Sequence, residues 1–159
     1  MYRFDIIAVG RLPGDYVAEG CAEFVKRLSA YAAVTVTELP HTRLGGESPA
    51  EIAAAIGDEQ SRIMAALPKG AAAVALCVEG RQLDTVQFSD FLKRSADSGR
   101  SRIAFVIGGS HGLGEQVKQA AALRLSMSPM TFPHGLARLM LLEQLYRAMS
   151  IQNGGKYHK

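Results

Sequence analysis

The sequence predicts an α/β domain with a mainly parallel sheet flanked by helices, and three observations carry that expectation. Short apolar runs at residues 4–9, 71–78 and 103–107 have the length of buried strands. The stretches between them show helical spacing and recognisable helix-start signals. Strands alternating with helices in this way fold as a parallel sheet covered on its faces.

Phe4-Asp5-Ile6-Ile7-Ala8-Val9, closed by Gly10, is the first strand. Pro13 and Gly14 then open a helix in which Val17, Cys21, Phe24, Leu28 and Tyr31 recur at spacings of four and three. Glu23 and Arg27 sit on its other face, four apart and placed to pair. Val34-Thr35-Val36-Thr37 is β-branched throughout and reads as a second strand. After the Leu44-Gly45-Gly46 loop, Ser48-Pro49-Ala50-Glu51 is a capping box with proline at the first helical position. That helix stops at Pro68-Lys69-Gly70, and residues 71–78 form a strand apolar on both faces, as at the centre of a parallel sheet. Glu79-Gly80-Arg81 reads as the loop leaving its carboxyl end. Asp84 and Gln87 cap the next helix, with Phe88, Phe91 and Leu92 inward and Ser98-Gly99 at its end. Residues 103–107 and, more weakly, 123–127 complete the strands, and a long apolar helix over 133–151 closes the chain. With no repeat or linker, residues 1–159 are expected to form a single domain.

Charge is distributed unevenly. Residues 98–159 carry eight Lys/Arg against Glu115 and Glu143, whereas residues 1–97 carry ten against thirteen acids. An anionic partner would therefore meet the C-terminal end. The longest apolar run is far too short to span a membrane, and Arg3 and Asp5 stand where a signal peptide has its apolar core. Cys21 and Cys77 read as buried thiols of a reducing compartment, without zinc-like spacing. A cytoplasmic protein with no metal and no membrane partner is expected.

Ligands of open α/β sheets sit beyond the carboxyl ends of the strands. The most conspicuous loop there is Gly108-Gly109-Ser110-His111-Gly112-Leu113-Gly114. It is not a nucleotide P-loop, because Glu115 stands where lysine must reach the phosphates. It is not a dinucleotide fingerprint either, because Val117 replaces the third glycine. Four glycines in seven residues allow a ligand to approach the backbone closely. A second loop, Met127-Ser128-Pro129-Met130-Thr131-Phe132, is small and apolar and would hold a ligand by backbone groups and packing. In the last helix, Leu139, Leu142, Tyr146 and Met149 form a stripe that Leu141 and Leu145 widen, so the helix is buried on two sides. The second side is expected to meet another subunit.

Several of these segments together carry a resemblance. Ile107-Gly108-Gly109-Ser110, the run from Leu125 to His134, Leu142-Glu143-Gln144-Leu145-Tyr146-Arg147-Ala148 and the terminal Tyr157-His158-Lys159 closely resemble the ribosomal RNA large subunit methyltransferase H family of the SPOUT class. The resemblance extends over the whole chain. It implies a trefoil-knotted α/β fold, a homodimer, and methyl transfer from S-adenosyl-L-methionine to N3 of a pseudouridine in large-subunit ribosomal RNA. The small size, with no appended RNA-binding domain, makes the assembled ribosome the expected substrate. Carried over to this chain, the resemblance implies cofactor binding by Leu76, Gly108, Met127, Ser128, Pro129, Met130, Thr131 and Phe132. It gives His111 no role. For the acceptor side, His158 is the candidate base for the N3 proton, Tyr157 would position the ring, and Lys159 and Arg138 would stabilise charge or contact phosphate. A non-catalytic RNA-binding factor for ribosome assembly is the alternative, and a small-molecule methyltransferase a further one.

Overall fold

Strands β1 (Tyr2–Val9), β2 (Ala32–Leu39), β3 (Ala72–Gln82), β4 (Arg102–Ile107) and β5 (Leu123–Ser126) pair in parallel in the order β2-β1-β4-β3-β5. The structure is a computed structural model that describes residues 1–12 and 14–159. Pro13, expected to open the first helix, lies outside the described residues. Helices α1 (Tyr16–Leu28), α2 (Pro49–Ala66), α3 (Thr85–Asp97) and α4 (Glu115–Ala120) connect successive strands, and α5 (His134–Gln152) follows β5.

Alternation along each strand divides the core in two. Phe4, Ile6 and Ala8 of β1, with Ile103, Phe105 and Ile107 of β4, face a large cluster that includes Leu28 of α1, Leu92 of α3 and Leu142 of α5. Val9, Ala75 and Val106 face a smaller one with Ile63 of α2 and Val117 of α4. The crossovers from β1 to β2 and from β3 to β4 run in one direction along the sheet and use α1 and α3 on the first face. Those from β2 to β3 and from β4 to β5 run the other way and use α2 and α4 on the second. That pairing of direction with face is what one uniform crossover hand requires. It leaves the carboxyl ends of β3, β4 and β5 side by side.

Most local signals appear as expected. Both capping boxes, Ser48/Glu51 and Asp84/Gln87, are formed, and Glu23 pairs with Arg27 at 2.7 Å. Four expectations are corrected. The residue that opens α1 is Asp15, whose carboxylate accepts the Val17 and Ala18 N–H groups, and the helix ends at Leu28, leaving Tyr31 in the following turn. Residues 79–81 are not a loop. β3 continues through them to Gln82 after a shift in its register against β5 between Leu76 and Arg81. Gly80 permits this, since a Cβ there would lie 2.8 Å from the carbonyl carbon of Arg124. The strand flanked most deeply is β4 rather than β3. Finally, α5 starts at His134 with Pro133 as its N-cap, and much of its apolar surface is used within its own chain. Leu141, Leu142, Leu145, Ala148 and Met149 are buried against α1, α3 and the sheet. Gly20 allows the close α1–α5 approach, because a Cβ there would lie 2.9 Å from Leu139 Cδ1.

Candidate functional site

At the carboxyl ends of β3, β4 and β5 a cavity of about 760 Å³ opens, a size suited to a small organic cofactor. Leu76 closes it from β3, Gly108 from the loop after β4, and Met127, Ser128, Met130, Thr131 and Phe132 from the loop after β5. Of the eight residues expected at a cofactor, seven thus share one cavity wall. Pro129 is exposed and does not line it.

The loops are shaped by the chain itself. A Cβ on Gly108 would lie 2.9 Å from the Gly112 carbonyl oxygen and 2.9 Å from Leu113 Cδ2, and Gly112 has φ of +84°. Gly109 and Gly112 form an isolated antiparallel bridge, so the loop doubles back on itself. In the second loop, Ser126 Oγ donates to the Ser128 carbonyl at 3.1 Å, and Ser128 Oγ accepts from the Met130 N–H at 3.0 Å. Those turns leave Met130 72% exposed at the cavity, which Val78 of β3, 49% exposed, also lines. Two exposed apolar side chains on one cavity wall fit a ligand that is partly apolar.

Lys118 of α4 pairs with Glu79 and, at 3.8 Å, with Glu115, which ties α4 to β3 at the cavity rim. The hydrogen bond from Lys118 holds the Glu79 carboxyl below the usual range, and the Lys118 ammonium is raised by the same bond. Burial pushes the Cys77 thiol up, so it stays protonated at neutral pH and forms wall rather than nucleophile. Among the described residues no group of three His, Cys, Asp or Glu could hold a metal ion, and no helix is long and apolar enough to cross a membrane.

The residues expected on the acceptor side are not at this cavity. Arg138 is buried, with its side chain 3% exposed, and donates to Glu38 at 2.9 Å and to the Gly10 carbonyl at 3.3 Å. From that position it joins α5 to the end of β2 and to the turn after β1, and it cannot meet a phosphate. Tyr157 packs against α5. Its ring meets Tyr146 edge-on at 4.8 Å, the Arg147 guanidinium lies 4.6 Å from its centroid, and its hydroxyl donates to Glu143 at 3.1 Å. Burial, followed by the charge of Glu143, raises the Tyr157 phenol, so it remains protonated. His158 Nδ1 is buried without a partner among the described residues, and Lys159 is exposed. Tyr157 rests beside Glu143 and Tyr146, six to nine residues along α5 from the cavity-lining Ala137, about 9–14 Å at helical rise.

Arg138→Ala is accordingly expected to destabilise the fold by about 2–4 kcal/mol, towards the lower end because Glu38 is partly solvated. Burial pushes the Glu38 carboxyl up, but hydrogen bonds from Arg138 and the Leu12 N–H outweigh it and hold it below its ordinary value of 4.5. A depressed carboxyl contributes stability above its unfolded value and loses it as pH falls. Urea denaturation should therefore show the gap between wild type and Arg138→Ala widest at neutral pH, shrinking below pH 4.5.

One functional feature escaped the sequence reading. Glu59 is 9% exposed on the inward stripe of α2, between Ala55 and Ile63. It accepts the Thr42 N–H at 3.2 Å, and a Cβ on Gly109 would lie 2.9 Å from its Oε1. A glutamate at a spacing where an apolar residue is due was the available signal.

Comparison with known proteins extends along the chain. Residues 2–158 match the family described as "Predicted SPOUT methyltransferase". A Pelotomaculum thermopropionicum relative named "Ribosomal RNA large subunit methyltransferase H" is 46% identical over 163 residues, covering 99% of each chain. A Bacillus thuringiensis relative of the same name is 44% identical over 158 residues, again covering 99% of each. Among solved structures, a probable methyltransferase from Bordetella pertussis aligns with TM-score 0.53 and 17% identity over 93% of this chain and 96% of that one. A probable methylase family protein from Haemophilus influenzae gives TM-score 0.51 and 12% identity over 99% of this chain and 70% of that one. At such identities these two speak for the fold alone.

Proposed function

This chain belongs to the SPOUT methyltransferase family, and from that premise we propose that it transfers a methyl group from S-adenosyl-L-methionine to N3 of a pseudouridine in large-subunit ribosomal RNA. It does so on the assembled ribosome, in the cytoplasm, as a homodimer of single-domain chains, residues 1–159, with the trefoil knot of the class. The full-length match to relatives of that name is the observation that carries the substrate class. The cavity supports the cofactor. Its apolar walls and backbone-rich loops fit a nucleoside with a thioether-like chain, and α5 begins there without a side-chain cap, leaving first-turn N–H groups for a carboxylate. Leu76, Met127, Ser128, Met130, Thr131 and Phe132 would hold the base, Pro129 shaping the loop from outside the cavity, and Gly108 the adjoining chain.

When bound, the cofactor supplies a methyl carbon to the N3 lone pair while its carbon–sulfur bond breaks to leave a neutral thioether. The N3 proton needs an acceptor, and His158 is the tail group with that chemistry. Tyr157, kept protonated, orients the ring, and exposed Lys159 contacts phosphate. Arg138 acts only by holding the Gly10 turn and α5 together. Because the tail rests away from its own cavity, one chain's tail serves the acceptor placed beside the other chain's cofactor. The half-buried Leu136, Leu139 and Met140 of α5 line an apolar groove suited to that contact. Sedimentation at micromolar concentration is expected to give a dimer, and a monomer would remove the two-chain site.

Nucleoside mass spectrometry of large-subunit RNA tests the function in cells. A strain lacking the protein should lose one N3-methylated pseudouridine, restored by complementation. Unchanged RNA would leave the assembly-factor reading standing.

A further inference from the structure

A second chamber of about 510 Å³ lies against the first and shares Gly109, Ser110, His111 and His134 with it. We propose that this chamber receives the acceptor nucleotide, with Arg43 and His41 holding its phosphate. The proposal rests on the methyltransferase reading above and names the site through which the RNA reaches it.

The chamber is built, not incidental. From α2, Arg62 donates to the Pro40 carbonyl at 2.8 Å and to Thr42 Oγ1 at 3.0 Å, while Glu59 accepts the Thr42 N–H. These bonds fix the segment after β2 at residues 40 and 42. The residues that alternate with them, His41 and Arg43, are exposed and line the chamber. Glu59 also packs over Gly109, so the same carboxylate sets this segment against the glycine loop of the first cavity.

Its chemistry suits a nucleotide. Val9, Leu44, Ala55 and Ile56 give an apolar lining for the face of a base. Arg43 makes no ion pair among the described residues, whereas Glu59 spends an oxygen on the Thr42 N–H. A free guanidinium beside an imidazole is the pairing that positions a phosphodiester. Placement agrees as well. Displacement at a methyl carbon needs the attacking atom about 3–3.5 Å away and aligned, so an acceptor site must adjoin the donor site. His111 and His134, on the shared wall, stand where the two would meet.

The test is steady-state methyl transfer to undermethylated ribosomes by the full-length protein, with calorimetry of S-adenosylmethionine in parallel. Arg43→Ala should raise KM for ribosomes about tenfold and flatten its salt dependence by roughly one phosphate contact. S-adenosylmethionine affinity should stay within about twofold, and Arg43→Lys, which keeps the charge but not the planar fork, should restore the salt dependence and part of the KM loss. Because Arg43 is exposed, the fold is expected to persist. An unchanged KM overturns the assignment, and so does a loss of cofactor affinity, which would make the chamber part of the donor site. If wild type itself transfers no methyl group to ribosomes, the reading beneath the proposal falls and takes the chamber's role with it.

Discussion

Gly108→Val is expected to weaken S-adenosylmethionine binding by at least about 100-fold, a loss of about 2.7 kcal/mol. The cause is space rather than backbone conformation. Even a bare Cβ at 108 meets the Gly112 carbonyl oxygen at 2.9 Å and carbon at 3.0 Å. Backbone cannot rotate away as a side chain can, so the loop that walls the cavity must move. The two further methyl groups of valine enlarge the displacement. Leu113 is also touched and belongs to the core formed with Val106 and Val117, so about 1–3 kcal/mol of stability should go as well. Gly108→Ala should give a smaller loss in the same direction. Calorimetry on protein shown folded by circular dichroism checks this, and normal binding by the valine variant would mean that the assigned pocket is wrong.

Deleting Tyr157–Lys159 is expected to lower methyl transfer at least about 1,000-fold, since both the proton acceptor and its orientation go. Cofactor affinity should be nearly unchanged, because none of the three residues lines the cavity. The deletion has a structural cost. It removes the ring that packs on Tyr146 and under Arg147, worth about 0.5–1.5 kcal/mol. Single variants separate that cost from chemistry. His158→Ala should reduce kcat by about 100-fold or more, with ribosome KM little altered. Lys159→Ala should instead raise KM and reduce its salt dependence. A truncated protein that methylates ribosomes at the full rate would end the tail's role while leaving the pocket in place.

How far the sequence could be read followed the range of the interactions. Capping boxes and apolar runs are signals confined to a few residues, and Ser48/Glu51, Asp84/Gln87 and the five strands stood where those signals lay. The continuation of β3 through Gly80 did not show, because it depends on β5 arriving more than forty residues later. The glycine loop was noticed for its composition, but Gly109 is required by Glu59, fifty residues upstream. Arg138 was expected to stabilise charge or contact phosphate, because its partner Glu38 lies one hundred positions away and only the fold brings the two together. The packing of the tail was not legible for the same reason. Tyr157 follows two glycines at 154 and 155 that carry no packing signal, yet it returns to α5 through three aromatic and charged contacts. The acceptor chamber, formed from β1, the segment after β2, α2, the glycine loop and α5, has no local signature.

Methyl transfer to one pseudouridine can be followed with purified protein, labelled S-adenosylmethionine and ribosomes from cells lacking the protein. Label should appear in large-subunit RNA, saturating near one methyl group per ribosome and mapping to N3 of a single pseudouridine. Label on a small molecule, on another RNA position, or nowhere while the cofactor still binds would contradict that activity.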